Sequence, residues 1–257
     1  MGTEDTFYNR EFKKGLKSER SKGGDELFKV RDGVFDRATL MTLYDLIKAD
    51  RLGTVEGIVS TGKEANIFWG YTPDKKEVAV KIYRVAATTF RNMWQYLVQD
   101  PRFKRLNRQH RQIIYNWTKR EYKNLMRVED VVPVPKPYFV RNNVIVMDFL
   151  GKDGVAFPQL REVGPPNPER DFETLVRHMR SMYRQGIVHA DLSEYNILVG
   201  EEKLYLIDFS QGTVLENPMA EDYLARDVEN IIRYFRKFIK TPETDAVLAR
   251  IRGTTNE

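Results

Sequence analysis

Three oxygen-bearing side chains flank two short apolar runs within residues 187–210, IVHADLSEYNILVGEEKLYLIDFS. Asp191 and Asn196 precede the run Ile197–Val199, and Asp208 follows the run Leu204–Ile207. A Gly-Glu-Glu-Lys turn separates the runs, so strand ends would present the polar groups at one rim. Such a set suits Mg²⁺, which wants hard oxygen ligands and keeps company with substrate phosphates. An apolar hairpin with polar turn residues is the plainer alternative. The spacing of all three groups argues against it.

The order His189-Ala190-Asp191-x-x-x-x-Asn196, then Asp208-Phe209, matches the pattern of a protein-kinase catalytic loop and metal loop. In that scheme Asp191 accepts or orients the hydroxyl proton, Asn196 holds one metal ion, and Asp208 holds metal between the β- and γ-phosphates. His189 reads as a structural histidine bonded to backbone, not as a base. The strand Val78-Ala79-Val80-Lys81 resembles the kinase V-A-I-K pattern and supplies a phosphate-facing lysine. Its partner is sought on the helical segment Gln112–Val128, where Glu121 lies on the same side as Ile114, Trp117, Leu125 and Val128. An acid on a buried face costs several kcal/mol unless paired, so a Lys81–Glu121 ion pair is expected. A glutamate reaching solvent from the margin of the stripe is the alternative.

The stretch from Gly57 to Glu64 invites comparison with a P-loop, since it reads G-x-x-x-x-G-K. Glu64 stands where that motif needs a hydroxyl, and the sequel Ala65-Asn-Ile-Phe-Trp-Gly-Tyr reads as a strand, not as the required helix. The P-loop reading is therefore set aside.

These residues need a scaffold, and the periodicity supplies one. Asp36 reads as the N-cap of a helix with the stripe Leu40, Leu43, Tyr44 and Ile47, closed by Gly53. Strands are predicted at Thr54–Ser60, Asn66–Tyr71, Glu77–Tyr83, Tyr138–Arg141 and Val144–Phe149, with turn chemistry at residues 73–76 and at Asn142-Asn143. The last strand reads as an edge strand and hinge between two lobes, where Met147 and backbone groups of Asp148 and Leu150 would meet an adenine. Gly151 to Pro168 reads as loop. A helix from Asp171 carries Phe172, Leu175, Val176, Met179 and Tyr183 on one face and ends at Gly186. Leu224, Val228, Ile231, Phe235 and Phe238 mark another, and Thr241-Pro242 would cap a short last one. The expected division is 1–53 as a charged lead and helix, 54–149 as an N-lobe and 150–257 as a C-lobe.

Residues 84–111 stand apart. With Tyr83 they carry seven Arg or Lys (Arg84, Arg91, Arg102, Lys104, Arg105, Arg108 and Arg111) against one acid, Asp100. Phe90, Trp94, Tyr96 and Phe103 are interleaved, a pattern that suits a phosphate backbone with exposed bases. A helical insertion with packed aromatics and solvated charges fits equally well.

Composition sets the outer bounds. The 257 residues suffice for one bilobal domain, and 41% hydrophobic with 31% charged residues describes an ordinary globular chain. With no cysteine there is no disulfide framework or thiol site, which is compatible with a reducing cytosol. No apolar run approaches a membrane span, and the first twenty residues lack the apolar core of a signal peptide, so a cytoplasmic protein without membrane contact is expected.

Ser60-Thr-Gly-Lys-Glu-Ala65, Lys81, residues 189–196 and Ile207-Asp-Phe-Ser-Gln211, in that order, resemble the RIO family of atypical serine/threonine protein kinases, and the STGKEA form points to its type 1 branch. The resemblance runs from about Leu40 to the C-terminus. It implies an α+β, bilobal, protein-kinase-like fold with a five-stranded antiparallel N-lobe, a mainly helical C-lobe and an N-terminal helical extension. It also implies ATP with Mg²⁺ or Mn²⁺ as cofactors, and a role in late maturation of the small ribosomal subunit, whose RNA would meet the basic segment. By motif position Asp191 is catalytic, Asn196 and Asp208 are metal ligands, and Ser60 and Lys81 are phosphate contacts. Departures from ordinary kinases are as informative. Ala190 replaces the Arg that reads a phosphorylated activation loop, and no A-P-E follows Asp208. Ser193 stands where a phosphate-neutralising Lys is usual, for which Lys63 would compensate from above, and Ser210 replaces the Gly of DFG.

The sequence thus points to an ATP-dependent serine/threonine kinase. An ATPase that times release from pre-ribosomes is a close rival, for which Asp208 doubles as a phosphoryl acceptor. A small-molecule kinase of the same fold and a ribosome-binding assembly factor are the others.

Overall fold

The computed structural model describes residues 35–85, 90–103 and 106–254, with the backbone alone at 90–92. Its N-terminal half is a five-stranded antiparallel sheet in the order β1-β2-β3-β5-β4. The strands are β1 (Thr54–Thr61), β2 (Ala65–Tyr71), β3 (Glu77–Tyr83), β4 (Pro137–Arg141) and β5 (Val144–Asp148). They agree closely with the periodicity. One correction concerns β5, which pairs with both β3 and β4 and is therefore internal, not an edge.

Strand β3 is buried on both faces because each face has its own cover. Val78, Val80 and Ile82 pack with Leu43 and Leu46 of helix α1 (Arg37–Lys48). Ala79 and Tyr83 belong to a larger core with Ile113, Ile114 and Trp117 of helix α3 (His110–Val128). Alternation along the strand puts Lys81 on the α3 side. Asp36 caps α1 as expected, accepting from the Thr39 N–H at 2.9 Å, but the helix stops at Lys48, short of Gly53. Its inner face is Thr39, Thr42, Leu43 and Leu46, one step round from the predicted stripe. The threonines turn inward because the amides of Asn143 and Asn142 donate to their hydroxyls, each at 2.9 Å.

The second half is mainly helical. Residues 151–168, expected as loop, hold a small hairpin, β6 (Gly151–Lys152) with β7 (Val155–Ala156), and a one-turn helix α4 (Leu160–Val163). Helix α5 (Pro168–Arg184) starts before Asp171, because Asn167 caps the Arg170 N–H at 3.1 Å and Pro168 opens the first turn. Met182, not Tyr183, completes its buried face. Helix α6 (Ala220–Phe235) ends before Phe238, which is exposed. Helix α7 (Thr244–Arg252) has Glu243 at its N-cap, so Thr241-Pro242 lie outside it. Two short antiparallel strand pairs sit between α5 and α6. One is a hairpin of β9 (Ile197–Val199) and β10 (Leu204–Leu206); the other is not a hairpin but a ladder of β8 (Ile187–Val188) with β11 (Thr213–Val214) that encloses it in the chain.

Burial pushes two histidines, His178 on α5 and His189, down to about 4. Both are neutral in the fold, while in the unfolded chain they protonate near 6.5. As pH falls the unfolded chain binds protons first, so stability present above about 6.5 is lost on the way to 4. His178→Leu removes its share of this loss, so relative to the parent its denaturant midpoint should rise as pH falls across the window. Equal slopes in the two proteins would show that His178 is not a source of the effect.

Candidate active site

Sheet and helices enclose a cleft of about 1240 Å³. Ser60, Lys63 and Lys81 line it from the sheet, Glu121 from α3, and Met147, Asp148 and Leu150 from the segment joining the halves. Asp191, Asn196 and Asp208 line it from below. Nine of the ten positions singled out by motif, together with Glu121, therefore converge. Ser193 does not line the cleft: it sits in the turn of the loop, where its C=O accepts from the Asn196 N–H at 2.9 Å. Two backbone groups at the hinge are also committed. The Asp148 N–H donates to the Lys136 C=O and the Phe157 N–H to the Leu150 C=O, both at 2.9 Å. The expected adenine contact narrows to the Leu150 N–H and the Asp148 carbonyl. The strand β2 follows Gly62-Lys63-Glu64 directly, so the G-x-x-x-x-G-K segment opens no helix.

Lys81 is the hub. Its Nζ lies 2.6 Å from Glu121 Oε1 and 3.0 Å from Asp208 Oδ1, while the Tyr83 hydroxyl donates to Glu121 Oε2 at 2.5 Å. Burial works against the lysine's charge, but Asp208 and Glu121 outweigh it and raise its pKa. Burial raises Glu121, against the pull of Lys81. For Asp208 burial also opposes ionisation, and Lys81 overcomes it and holds the group below the usual carboxylate range.

The catalytic loop is held under strain. Ala190 and Asp208 have left-handed backbones, φ 65° and 60°, a conformation that costs a residue with a Cβ about 1–2 kcal/mol. Asp227, fully buried on α6, offsets this at Ala190: its carboxylate accepts from the Ala190 and Leu192 N–H groups, each at 2.8 Å. Burial pushes Asp227 up to about 8 against the pull of those two amides. Arg226 donates to the Ala190 C=O and Asn230 to the Leu192 C=O. Within the loop Asn196 donates to the Asp191 C=O at 2.8 Å, and Gln211 Nε2 donates to Asp191 Oδ2 at 3.0 Å. Burial, then the nearby Asp208, push Asp191 up to about 6. His189 stays neutral, 3.0 Å from the Ile207 C=O and packed on Phe209.

Helix α3 supports the loop after Asp208 with residues that the motif search passed over. Asn124 donates to the C=O groups of Phe209 and Gly212 at 2.8 and 2.7 Å. Arg120, fully buried, donates to the C=O groups of Gly212 and Gln211 at 3.2 and 3.1 Å. Asp100 accepts from Arg102 Nε and Nη2 at 2.9 and 2.6 Å and lies 3.2 Å from Arg120. These contacts correct the expectation for one member of the basic segment, Arg102. The segment's part 90–99 is helix α2 (Phe90–Gln99), and Arg102 is turned inward onto Asp100 and Asn124, not outward to a phosphate. Arg111 pairs with Asp36 at 2.8 Å, and Arg108 lies over the Trp94 ring at 5.2 Å. Lys104, Arg105 and the Arg91 side chain lie outside the described residues. Asp227 and Asn124 had a signal in the sequence, since each interrupts an apolar helical stripe as Glu121 does.

A profile of the RIO domain matches residues 66–247. The chain belongs to the RIO family of atypical serine/threonine protein kinases. Among its relatives, the RIO-type serine/threonine-protein kinase Rio1 of Haloferax volcanii is 38% identical over 93% of this chain and 82% of its own length. Rio1 of Methanocaldococcus jannaschii is 40% identical over 89% of this chain and 79% of its own. Both place this RIO chain in the type 1 branch. In fold it is similar to the Rio2 kinase of Chaetomium thermophilum, whose crystal structure is of an ADP/Mg²⁺-phosphoaspartate complex. That match has a TM-score of 0.63 at 22% identity and covers 81% of this chain and 65% of the other, and it supports the bilobal kinase-like architecture.

Removing one partner of a buried ion pair costs about 3–5 kcal/mol, because the other charge is stranded. Lys81→Met should be destabilised on that scale, and adding Glu121→Leu should restore most of the loss without restoring activity. Urea denaturation of the three proteins checks this. A second substitution that merely adds to the first would show that Glu121 does not depend on Lys81.

Proposed function

We propose that this chain transfers the γ-phosphoryl group of ATP, with Mg²⁺ or Mn²⁺, to serine or threonine hydroxyls during maturation of the small ribosomal subunit. The observation that carries the reading is the convergence of Lys81, Asp191, Asn196 and Asp208 on one cleft. The donor set fits a nucleotide-delivered metal. Asp208 engages Lys81 through Oδ1 and keeps 43% of its side chain exposed, and Asn196 turns its NH₂ to Asp191, leaving its amide oxygen as an acceptor. Among the described residues no group of three or more His, Cys, Asp or Glu forms a metal cage. One carboxylate and one amide oxygen suit Mg²⁺, which keeps waters and takes phosphate oxygens as its other ligands. Asn196 and Asp208 would hold the ion, which would supply positive charge to neutralise the nucleotide's phosphates. Met147, Asp148 and Leu150 would receive the adenine, and Ser60, Lys63 and Lys81 the phosphates.

Asp191 supplies the base. Its pKa of about 6 leaves it ionised at neutral pH yet a better proton acceptor than an ordinary aspartate. The substrate hydroxyl gives its proton to Asp191 as its oxygen bonds to the γ-phosphorus, and the bond to ADP breaks with its electron pair.

A second reading, hydrolysis that times release from a pre-ribosome, has its own support. After Asp208 the chain reaches α6 at Ala220, and the intervening β11 is tied to β8, which leaves little to build a peptide platform. In this route an Asp208 oxygen attacks the γ-phosphorus, ADP leaves, and water later cleaves the acyl phosphate. The phosphoaspartate in the Chaetomium Rio2 complex is consistent with such a step. A cytoplasmic setting follows from the ribosomal role, and no helix among the described residues is long and apolar enough to cross a membrane.

Asp208→Ala should abolish metal-dependent turnover, and Asp191→Ala should lower kcat by roughly 10²–10⁴ while ATP still binds. Acid-quenched enzyme incubated with γ-labelled ATP separates the routes. Label that hydroxylamine removes is expected for hydrolysis through Asp208, whereas stable label on Ser or Thr with rapid peptide phosphorylation and no ATPase activity means transfer alone. A third prediction concerns RNA. With Arg102 turned inward, the basic residues we propose for RNA binding are Arg84, Lys104, Arg105 and Arg108. Replacing these four by Ala should flatten the salt dependence of ribosomal RNA binding and leave ATP affinity unchanged, by filter binding across a salt series. An unaltered slope would mean that the charges are merely solvated.

A further inference from the structure

The two oxygens of the Asp191 carboxylate are not equivalent. Gln211 Nε2 donates to Oδ2 at 3.0 Å, and the Asn196 amide is 3.5 Å from the same atom. Among the described residues Oδ1 has no donor. Gln211 is half-buried and lines the cleft. Its own place is fixed from behind: its C=O accepts from Arg120 Nη2 at 3.1 Å, and Arg120 is set by Asp100. The rings of Tyr96 and Trp117 hold the Arg120 guanidinium on its flanks, at 5.4 and 5.3 Å. A sealed arginine is costly to keep, and a hydrophobic residue of similar volume would serve stability as well or better. Its hydrogen bonds go to the loop that carries Gln211. That is a reason to look for its use in the chemistry.

We propose that Gln211 is a positioning residue for phosphoryl transfer, fixing Asp191 so that Oδ1 meets the attacking hydroxyl or water, and that Asp100 sets Gln211 through Arg120. This rests on the kinase reading of the cleft. A carboxylate alone can turn about its Cβ–Cγ bond and offer either oxygen. A single neutral donor on one oxygen removes that freedom without cancelling the charge, which an arginine or lysine in its place would do. Glutamate has the same shape as glutamine but no N–H to give, and it would repel Asp191. The chain of contacts from Asp100 to Asp191 also gives residues 84–111 a part in the site that needs no contact with ATP. Misplacement of a reacting group by an ångström is enough to cost about 10²-fold in rate, so a support this remote can be felt in turnover.

The test compares single-turnover rates and ATP affinities of the full chain and its variants. Gln211→Ala and Gln211→Glu should each lower the rate by about 10- to 10²-fold with ATP affinity held within about two-fold. Gln211→Asn, which keeps a donor on a shorter arm, should recover part of the rate. Asp100→Asn should lower the rate in the same way, and joined to Gln211→Ala it should do no further harm, as expected of residues in one chain of contacts. Should Asp100→Asn fail to fold, Arg102→Gln, at a partly exposed side chain, loosens the same carboxylate and carries the same expectation. A Gln211→Ala enzyme as fast as the parent, or losses that multiply in the double variant, would overturn the inference while the kinase reading stands. A parent enzyme that turns over no ATP would overturn both.

Discussion

One ammonium group sets the relation between the two halves of this protein. Lys81 reaches Glu121 on the N-lobe helix and Asp208 on the C-lobe loop at the same time, so two carboxylates that would repel each other share a cation between them. The arrangement depends on β3 being buried on both faces, since only the alternation of that strand turns Lys81 toward α3 while its neighbours fill the opposite core. It depends equally on Tyr83, two residues along, which satisfies the other oxygen of Glu121. Lysine has three N–H donors, and two are engaged here. In the proposed function the third would meet a phosphate oxygen. The same contact that draws the lobes together thereby orients the group that would meet ATP.

Around that hub the supporting polar groups come mostly from one helix. Arg120, Glu121 and Asn124 are all buried on α3 and all face the C-lobe, Glu121 through Lys81 and the other two through backbone carbonyls of residues 209–212. Unpaired, each would cost several kcal/mol. Together they make the docking of α3 and the shape of the metal loop a single event, because the loop carbonyls and the helix side chains satisfy one another.

The sheet, the hub and the cleft were legible in the sequence because alternation and motif spacing are local signals. Lys81 and Glu121 could be paired from the cost of a buried acid on an apolar stripe. The same argument applied to Asp227, between Leu224 and Val228, leads to the clamp on the catalytic loop. What stayed hidden depends on partners distant in the chain. Seven basic residues against one acid read as a surface for phosphates, yet the one acid, Asp100, is the buried end of a network that draws Arg102 and Arg120 inward. Composition counts charges and says nothing of which are paired. Helix ends slipped for a related reason: Asn167-Pro168 starts α5 by a capping bond that a stripe of apolar residues does not reveal.

Ala190 has no exposed surface, a left-handed backbone, its N–H on Asp227 and its C=O on Arg226. The position is the one at which ordinary kinases carry the arginine that senses loop phosphorylation. A long cationic side chain introduced here would have to escape a sealed pocket beside another guanidinium. The shape of the catalytic loop is thereby set by side chains of α6 that lie beneath it, with no part left for a charged residue at its second position.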